Sequence, residues 1–302
     1  MIKTVLGNIA DGELGITLPH EHICCFSEYF YKMGGRAYLD KELLARASIN
    51  YLKELKQKHG LRSFIDCTPV NIGRDIELLK RVSYESGVNI IASTGFYYTN
   101  EPLFNKDAEY IAQYLTMDAE SVNAGVIKAA VEYEEISPFD KNLLKAYAIT
   151  QKNLGFPIVL HTNARNKNAL AALEILLSEG VSPSAITVGH LSDTEDFGYI
   201  NGIAKLGCFV GLDRMYAHTT EEYISKKLDC INSLCEKGYA DKILVSHDAL
   251  FFNGFDKAPK INEKPRFAYI FENIIPRLDK DIAEKIMAKN PRKMLIGEKH
   301  GA

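Results

Sequence analysis

Pro157-Ile158-Val159-Leu160-His161 is followed by Leu170, Leu173 and Leu177 ahead of Gly180, and then by Ile186-Thr187-Val188-Gly189-His190. A short apolar run bounded by turn residues suits a buried parallel strand, and leucines three and four apart suit the helix that covers it. The same unit recurs on both sides. Apolar runs at 63–67, 89–93 and 125–129 precede it, and runs at 208–212 and 243–246 follow, with a further helix over 223–237. Near the N-terminus, residues 4–6 and 14–18 read as two short strands with Asp11-Gly12, a favoured hairpin signal, between them. In the next segment Asp40 caps a helix in which Leu44, Tyr51, Leu52 and Leu55 recur at helical spacing, and Gly60 stops it. Counting the run that ends at Leu18 as the first strand, the chain holds eight strand–helix units, the number and length of a (β/α)8 TIM barrel with a short N-terminal β-hairpin. No linker or shift of composition divides residues 1–302, so one domain is expected. The rival, an open doubly wound sheet, would want a glycine-rich phosphate loop after its first strand, and none is present.

Composition narrows the class. Hydrophobic content of 46% and charged content of 25% are ordinary for a soluble enzyme, and a net charge of −3 leaves no footprint for nucleic acid. No apolar run is long enough to span a bilayer, and Met1-Ile2-Lys3-Thr4 lacks the apolar core of a signal peptide, so a cytoplasmic protein is expected. The six cysteines (24, 25, 67, 208, 230 and 235) match no disulfide scaffold or zinc-ribbon spacing and read as reduced packing residues.

In a barrel of this kind the chemistry lies at the C-terminal ends of the strands. Those ends carry His20 and His22 (in Thr17-Leu-Pro-His-Glu-His22), Lys128, His161, His190 and Asp248. A lone histidine after an apolar strand is more often a hydrogen-bonded core residue than a ligand. Four of them with an aspartate at one end of one barrel offer the nitrogen and oxygen donors that a hydrolytic metal accepts. Lys128 is the odd member, because an ammonium has no lone pair for a metal. A buried amine in its neutral form can take up carbon dioxide as a carbamate, whose two oxygens suit bridging two metals; the alternative is a side chain snorkelling to the rim.

These residues carry a resemblance. The pieces Leu14-Gly-Ile-Thr-Leu-Pro-His-Glu-His22, Ile65-Asp-Cys-Thr68 with Gly73-Arg-Asp75, Ser93-Thr-Gly-Phe-Tyr97, Gly125-Val-Ile-Lys128, His161-Thr162, Gly189-His190, Gly211-Leu-Asp-Arg214, Ser246-His-Asp248 and Asn290-Pro291 run from end to end. Together they resemble the phosphotriesterase-like branch of the amidohydrolase superfamily. The resemblance implies an amidohydrolase-type barrel with two divalent ions, zinc before manganese, cobalt or iron. His20, His22 and Asp248 would hold the more buried ion, and His161 and His190 the outer one. N6-carboxylated Lys128 and a hydroxide would bridge them. Some relatives put a glutamate at the lysine position; lysine here favours the carbamate type.

The activity so implied is attack of the bridging hydroxide on an ester, with Asp248 taking the proton and passing it to the leaving alkoxide. His247 would face away on a regular strand, either supporting the ligands from behind or serving structure. Within this branch the substrate is expected to be a lactone, a phosphorylated sugar lactone before an acyl-homoserine lactone, with phosphotriester hydrolysis as the alternative. Tyr97 would orient the carbonyl and Arg214 would bind an anionic or carbonyl group, with Asp213 either holding that guanidinium or forming a merely structural pair with it. Tyr98, Lys260 and Arg266 are candidate substrate contacts in a basic rim that also includes Arg36, Asn100, Tyr216, Lys257 and Lys264. Tyr29, Phe30 and Tyr31 would serve either a homodimer contact or the cavity mouth. A metal-free binding protein on the same barrel is the non-enzymatic alternative, disfavoured because all six ligand positions hold competent residues. No nucleic-acid or membrane partner is expected.

Overall fold

A computed structural model describes residues 1–27, 31–32, 39–97, 101–216 and 218–297. The expected Tyr98, Asn100, Arg36, Tyr29 and Phe30 lie outside the described residues. Two short strands, β1 (Ile2–Thr4) and β2 (Gly7–Ile9), pair antiparallel with Ile2 opposite Ile9. The hairpin therefore turns at Val5-Leu6, and Asp11-Gly12 lies in a 3-10 turn beyond it. This corrects the sequence reading: Gly7, with φ near 120°, takes the left-handed region that the turn needs, and residues 14–18 belong to the barrel instead.

The barrel strands are β3 (Ile16–Cys25), β4 (Leu61–Asp66), β5 (Asn89–Gly95), β6 (Val126–Ala130), β7 (Ile158–His161), β8 (Ile186–Val188), β9 (Phe209–Leu212) and β10 (Ile243–Val245). They pair in parallel, each with the next. Helices α1 (Lys41–His59), α2 (Ile76–Ser86), α3 (Ala108–Ser121), α4 (Pro138–Leu154), α5 (Ala169–Ser178), α6 (Phe197–Lys205) and α7 (Glu221–Glu236) alternate with them. Asp40 accepts the Leu43 N–H at the start of α1 and Gly60 ends it in a left-handed turn, as the sequence indicates. The sheet closes between β10 and β3. There the Asp248 N–H donates to the His20 carbonyl (3.1 Å) and the His20 N–H to Ser246 Oγ (3.1 Å). Glu21, between the two histidines, staples the seam: its fully buried carboxylate accepts from Ser246 Oγ, the His247 N–H and ring, and the Ala249 N–H.

A ninth strand, β11 (Leu250–Asn253), lies beyond the eight that the apolar runs predict. It continues the eighth strand after a break and pairs with the upper half of β3, Leu250 opposite His22. Its Phe251 and Phe252 are buried, so burial of its aromatic pair fixes a segment whose flanks are polar.

Side chains alternate between two cores. Ile65, Ile91, Val126, Val159, Phe209 and Leu244 fill the barrel lumen, with Ile2 and Met294 also in that inner core. Phe64, Ile90, Ile127, Ile158, Leu160, Val210 and Val245 face the helices. Lys128 and His161 stand two residues after Val126 and Val159, so strand periodicity alone aims them into the lumen above the inner core. Gly95, opposite Lys128, permits the approach of β5 to β6: a Cβ there would lie 1.9 Å from the Lys128 carbonyl oxygen, and its φ is near 111°. Gly95→Ala is expected to lose on the order of 4 kcal/mol, the sum of overpacking and a left-handed alanine, measurable by urea unfolding. A loss within about 1 kcal/mol would mean that the strand adapts at little cost.

Candidate metal centre

The lumen mouth gathers the predicted residues. His20 Nε2 is 2.8 Å from Lys128 Nζ, His22 Nε2 is 3.1 Å from Asp248 Oδ1, and His161 Nδ1 is 2.6 Å from His190 Nε2. All but Asp248 are at most 5% exposed. Two of them arrive by backbone departures. Leu18 packs outward, yet His20 faces the lumen, because the β3–β4 register shifts between Leu18 and Glu21. His190 follows outward-facing Val188 by two and turns inward through a left-handed backbone, φ 63°. Asp248, with φ 52°, makes a similar turn at the break between β10 and β11. Left-handed backbone at non-glycine residues costs of order 1 kcal/mol or more, and here both instances aim a side chain at the centre.

Each imidazole is anchored through its other nitrogen. His20 Nδ1–H donates to Asp213 Oδ2 (2.6 Å) and His190 Nδ1–H to Asp213 Oδ1 (2.9 Å), which also accepts the His190 backbone N–H (2.7 Å). His161 Nε2–H donates to Glu132 Oε2 (2.8 Å). His22 Nδ1–H donates to Thr68 Oγ1 (2.8 Å), whose own proton goes to the Cys24 carbonyl (3.3 Å). The four remaining nitrogens therefore face the lumen, where each can offer a lone pair to a metal ion, His22 once it has given up the proton it shares with Asp248. These donors fit a pair of divalent cations: nitrogen and carboxylate groups, converging, with their outer atoms already satisfied.

The electrostatics agree. Burial, and then the nearby Lys128, lower the His20 pKa to about 4, and burial with His190 holds His161 well below the usual value, so both rings are neutral. Burial opposes charge on His22 as well, but Cys25 and Asp248 beside it raise its pKa to about 10. A positive charge, whether proton or metal ion, is thus favoured between His22 Nε2 and Asp248 Oδ1. Burial also opposes ionisation of Asp213 and Asp248. The His190 and His20 imidazoles overcome it at Asp213; His190, His22, His20 and Arg214 do so at Asp248, and both stay well below the ordinary carboxylate range.

Asp213 was paired with Arg214 in the sequence reading, and the structure corrects this. Asp213 is 2% exposed and spends both oxygens on imidazoles, in a space that Gly211 keeps open, since a Cβ there would sit 3.2 Å from Oδ2. Arg214 instead donates from Nε to Asp248 Oδ2 (2.8 Å) and from one terminal nitrogen to Asp193 Oδ2 (2.8 Å). Asp213 also lies near enough to His20 and His190 to look like a ligand. Its oxygens, however, face the N–H side of each ring and accept hydrogen bonds there. Tyr97 sets its ring edge-on against His161 at 4.9 Å. His247 points away, as expected, donating to Glu21 and accepting the Ile270 N–H.

The rim differs from expectation. Two larger cavities open on the centre, beside a smaller one of about 50 Å³ between His161 and Phe96, Leu143 and Tyr147. One of about 220 Å³ is lined by His22, Cys25, Ile72, Tyr97, Lys128, Arg214, Asp248, Leu250, Asn253 and Phe255 among others. The other, of about 330 Å³, is almost wholly polar: Tyr97, Glu132, His161, Thr162, Asn163, Arg165, Asp193 and Arg214. Lys260 and Arg266 line neither. Arg266 donates to the Tyr216 carbonyl (2.6 Å) with its guanidinium over that ring, Lys264 is tied to Glu54 (3.0 Å), and Lys260 is exposed. Glu132, Asn163, Arg165 and Asp193 carry no signal of their own in the sequence beyond lying within four residues of a predicted ligand.

Inward imidazoles with satisfied outer nitrogens, at the C-terminal mouth of a (β/α)8 barrel, define a metal-dependent hydrolase. Residues 1–295 match the profile described as the phosphotriesterase family, and the chain belongs to that family. It is 32% identical to an aryldialkylphosphatase of Saccharolobus solfataricus over 95% of this chain and 96% of that one. It is 27% identical to a phosphotriesterase homology protein of Mycobacterium tuberculosis, covering 97% of each. An N-acetyltaurine hydrolase of Homo sapiens is 24% identical, again over 97% of each. The family consists of metal-dependent ester hydrolases that use two ions. Among the described residues no helix is long and apolar enough to cross a membrane.

Proposed function

We propose that this enzyme opens the ring of a small polar lactone, a phosphorylated sugar lactone foremost, at a centre of two divalent ions. His20, His22 and Asp248 would hold one ion, zinc being the first candidate. His161 and His190 would hold the other, with Lys128 carried as its N6-carbamate between them. Ions so held supply a water acidified from ~16 towards ~7 and polarise the ester oxygen. The chain's own groups do the rest. Asp248 Oδ2, pinned by Arg214, receives the proton of the attacking water and returns it to the leaving alkoxide. The guanidinium cannot itself relay that proton, so Arg214 acts by orienting Asp248 and by its charge. Tyr97, with its ring against His161, would orient the carbonyl.

The observation that carries the substrate reading is the 330 Å³ polar cavity, with Asn163 and Thr162 beside it. Arg165 lines it too, and its guanidinium is bonded to no partner among the described residues, which leaves it open to an anionic substituent. An acyl chain would have the 220 Å³ cavity with Ile72, Leu250 and Phe255, and a narrow one of about 50 Å³ beside Phe96, Leu143 and Tyr147. The names of the relatives span an alkyl phosphate ester and N-acetyltaurine, so membership of the family leaves the substrate open. The aryldialkylphosphatase likeness favours phosphotriester hydrolysis as the second reading.

A panel of sugar lactones with and without a phosphate, acyl-homoserine lactones and a paraoxon-like ester separates these readings. The phosphorylated lactone is expected to lead the ester by ~100-fold or more in kcat/KM. Arg165→Ala is expected to raise KM by ~10-fold for the phosphorylated lactone alone. The reverse order of substrates would overturn the lactone reading.

A further inference from the structure

Of the four imidazoles, three are anchored by groups at most 3% exposed: Asp213 for His20 and His190, Thr68 for His22. His161 is the exception. Its outer nitrogen donates to Glu132, whose side chain is 41% exposed and lines the polar cavity. Glu132 lies two residues past the end of β6, where a free loop would leave a carboxylate to wander. Here the segment is clamped by asparagines of the β7–α5 loop. Asn168 Nδ2 donates to the carbonyls of Val131 (2.9 Å) and Tyr133 (3.2 Å), and Asn166 Nδ2 to that of Glu132 (3.5 Å). Asn163 Nδ2 reaches Glu132 Oε1 (3.5 Å), while its backbone N–H donates to Asn168 Oδ1 (2.9 Å). Lys167 within that loop takes a left-handed backbone, φ 57°, to bring the amides round.

From this arrangement we propose that Glu132 is the positioning residue for the outer of the two ions, fixing His161 in the tautomer whose Nδ1 faces His190 and thereby setting how tightly that ion alone is held. The proposal rests on the two-ion reading above. A carboxylate behind a ligating imidazole orients the ring and raises its basicity, and its loss typically costs 10–100-fold in metal affinity. Because Glu132 touches neither His20, His22 nor His190, its effect is confined to one ion.

The test is a zinc titration of the metal-stripped full-length chain against a chromophoric chelator, for the wild type, Glu132→Gln and Glu132→Ala, with thermal unfolding of each metal-free protein. The wild type is expected to take two equivalents. In Glu132→Ala the second should weaken by ~10–100-fold and the first by less than ~2-fold, while Tm stays put. Glu132→Gln keeps an acceptor without the charge and should fall between. Equal weakening of both equivalents with a lowered Tm would assign Glu132 to structure only and overturn the proposal, as would a second equivalent bound as tightly as in the wild type. A wild type that takes fewer than two ions would overturn the two-ion reading itself and this proposal with it.

Discussion

Lys128→Met is expected to bring hydrolysis down by at least ~10³-fold and to cost the protein one or both ions, with part of the rate returned by millimolar acetate or propionate. Charge decides the outcome. Lys128 is 1% exposed, at the centre of the lumen, with its amine 2.8 Å from His20 Nε2. As an ammonium it would repel any cation that the imidazoles attract; as a carbamate it would place an anion among neutral rings. Methionine has a similar volume and no charge, so the fold should survive. What goes unpaired is His20 Nε2, at a cost of ~1–3 kcal/mol that urea unfolding would register separately. A short carboxylate can enter the space that the carbamate group would fill and supply the missing oxygens, which no structural role for Lys128 predicts. Retention of full activity and two ions in Lys128→Met would remove the carbamate from the account. So would a mass of the intact protein, measured gently with the ions bound, that shows no added carbon dioxide.

How much of this was legible beforehand follows from strand geometry. Lys128 and His161 could be placed because they sit in register with Val126 and Val159, and a period of two carries them into the lumen. His20 and His190 reach the same mouth as the sequence expects, yet regular periodicity would turn both outward. The shift of register after Leu18 and the left-handed backbone at His190 have no mark in a short apolar run. Sequence adjacency suggests Arg214 as the partner of Asp213, and the strand geometry rules it out. On a strand, neighbours point to opposite faces, and periodicity from Phe209 through Gly211 places Asp213 in the lumen. The basic rim failed for a different cause. Lysines and arginines of a loop have reach in every direction, and Lys264 and Arg266 found Glu54 and Tyr216 instead of the cavity. Glu132 and Arg165 lay unnoticed beyond strand ends, where the backbone clamp that aims Glu132 is a tertiary feature.

Asp213→Asn is the second large effect, and it discriminates between the two rings that share the carboxylate. Asp213 Oδ1 accepts two N–H groups from His190 and Oδ2 accepts one from His20. Asparagine has a single acceptor oxygen. Facing His190 with it satisfies two donors, so the amide N–H₂ is left against His20 Nδ1. That ring must then shift its proton to Nε2 and present N–H, not a lone pair, to the centre. The more buried ion is therefore expected to weaken by ~10–100-fold and activity to fall at least in proportion, while His190 keeps its orientation. Asp213→Ala removes both anchors and should weaken both ions. A pH series on the metal-free proteins adds an independent check. The folded-state pKa of Asp213 lies well below its ordinary 3.8, so its stabilising contribution is fully present above that value and disappears as pH falls through the folded one. The stability gap between the wild type and Asp213→Asn should accordingly be flat from pH ~8 to ~5 and close only in stronger acid. A gap that widened on acidification would mean that the carboxylate is not the acceptor of these two imidazoles. In that case the orientation of His20 and His190 would have to come from elsewhere in the lumen.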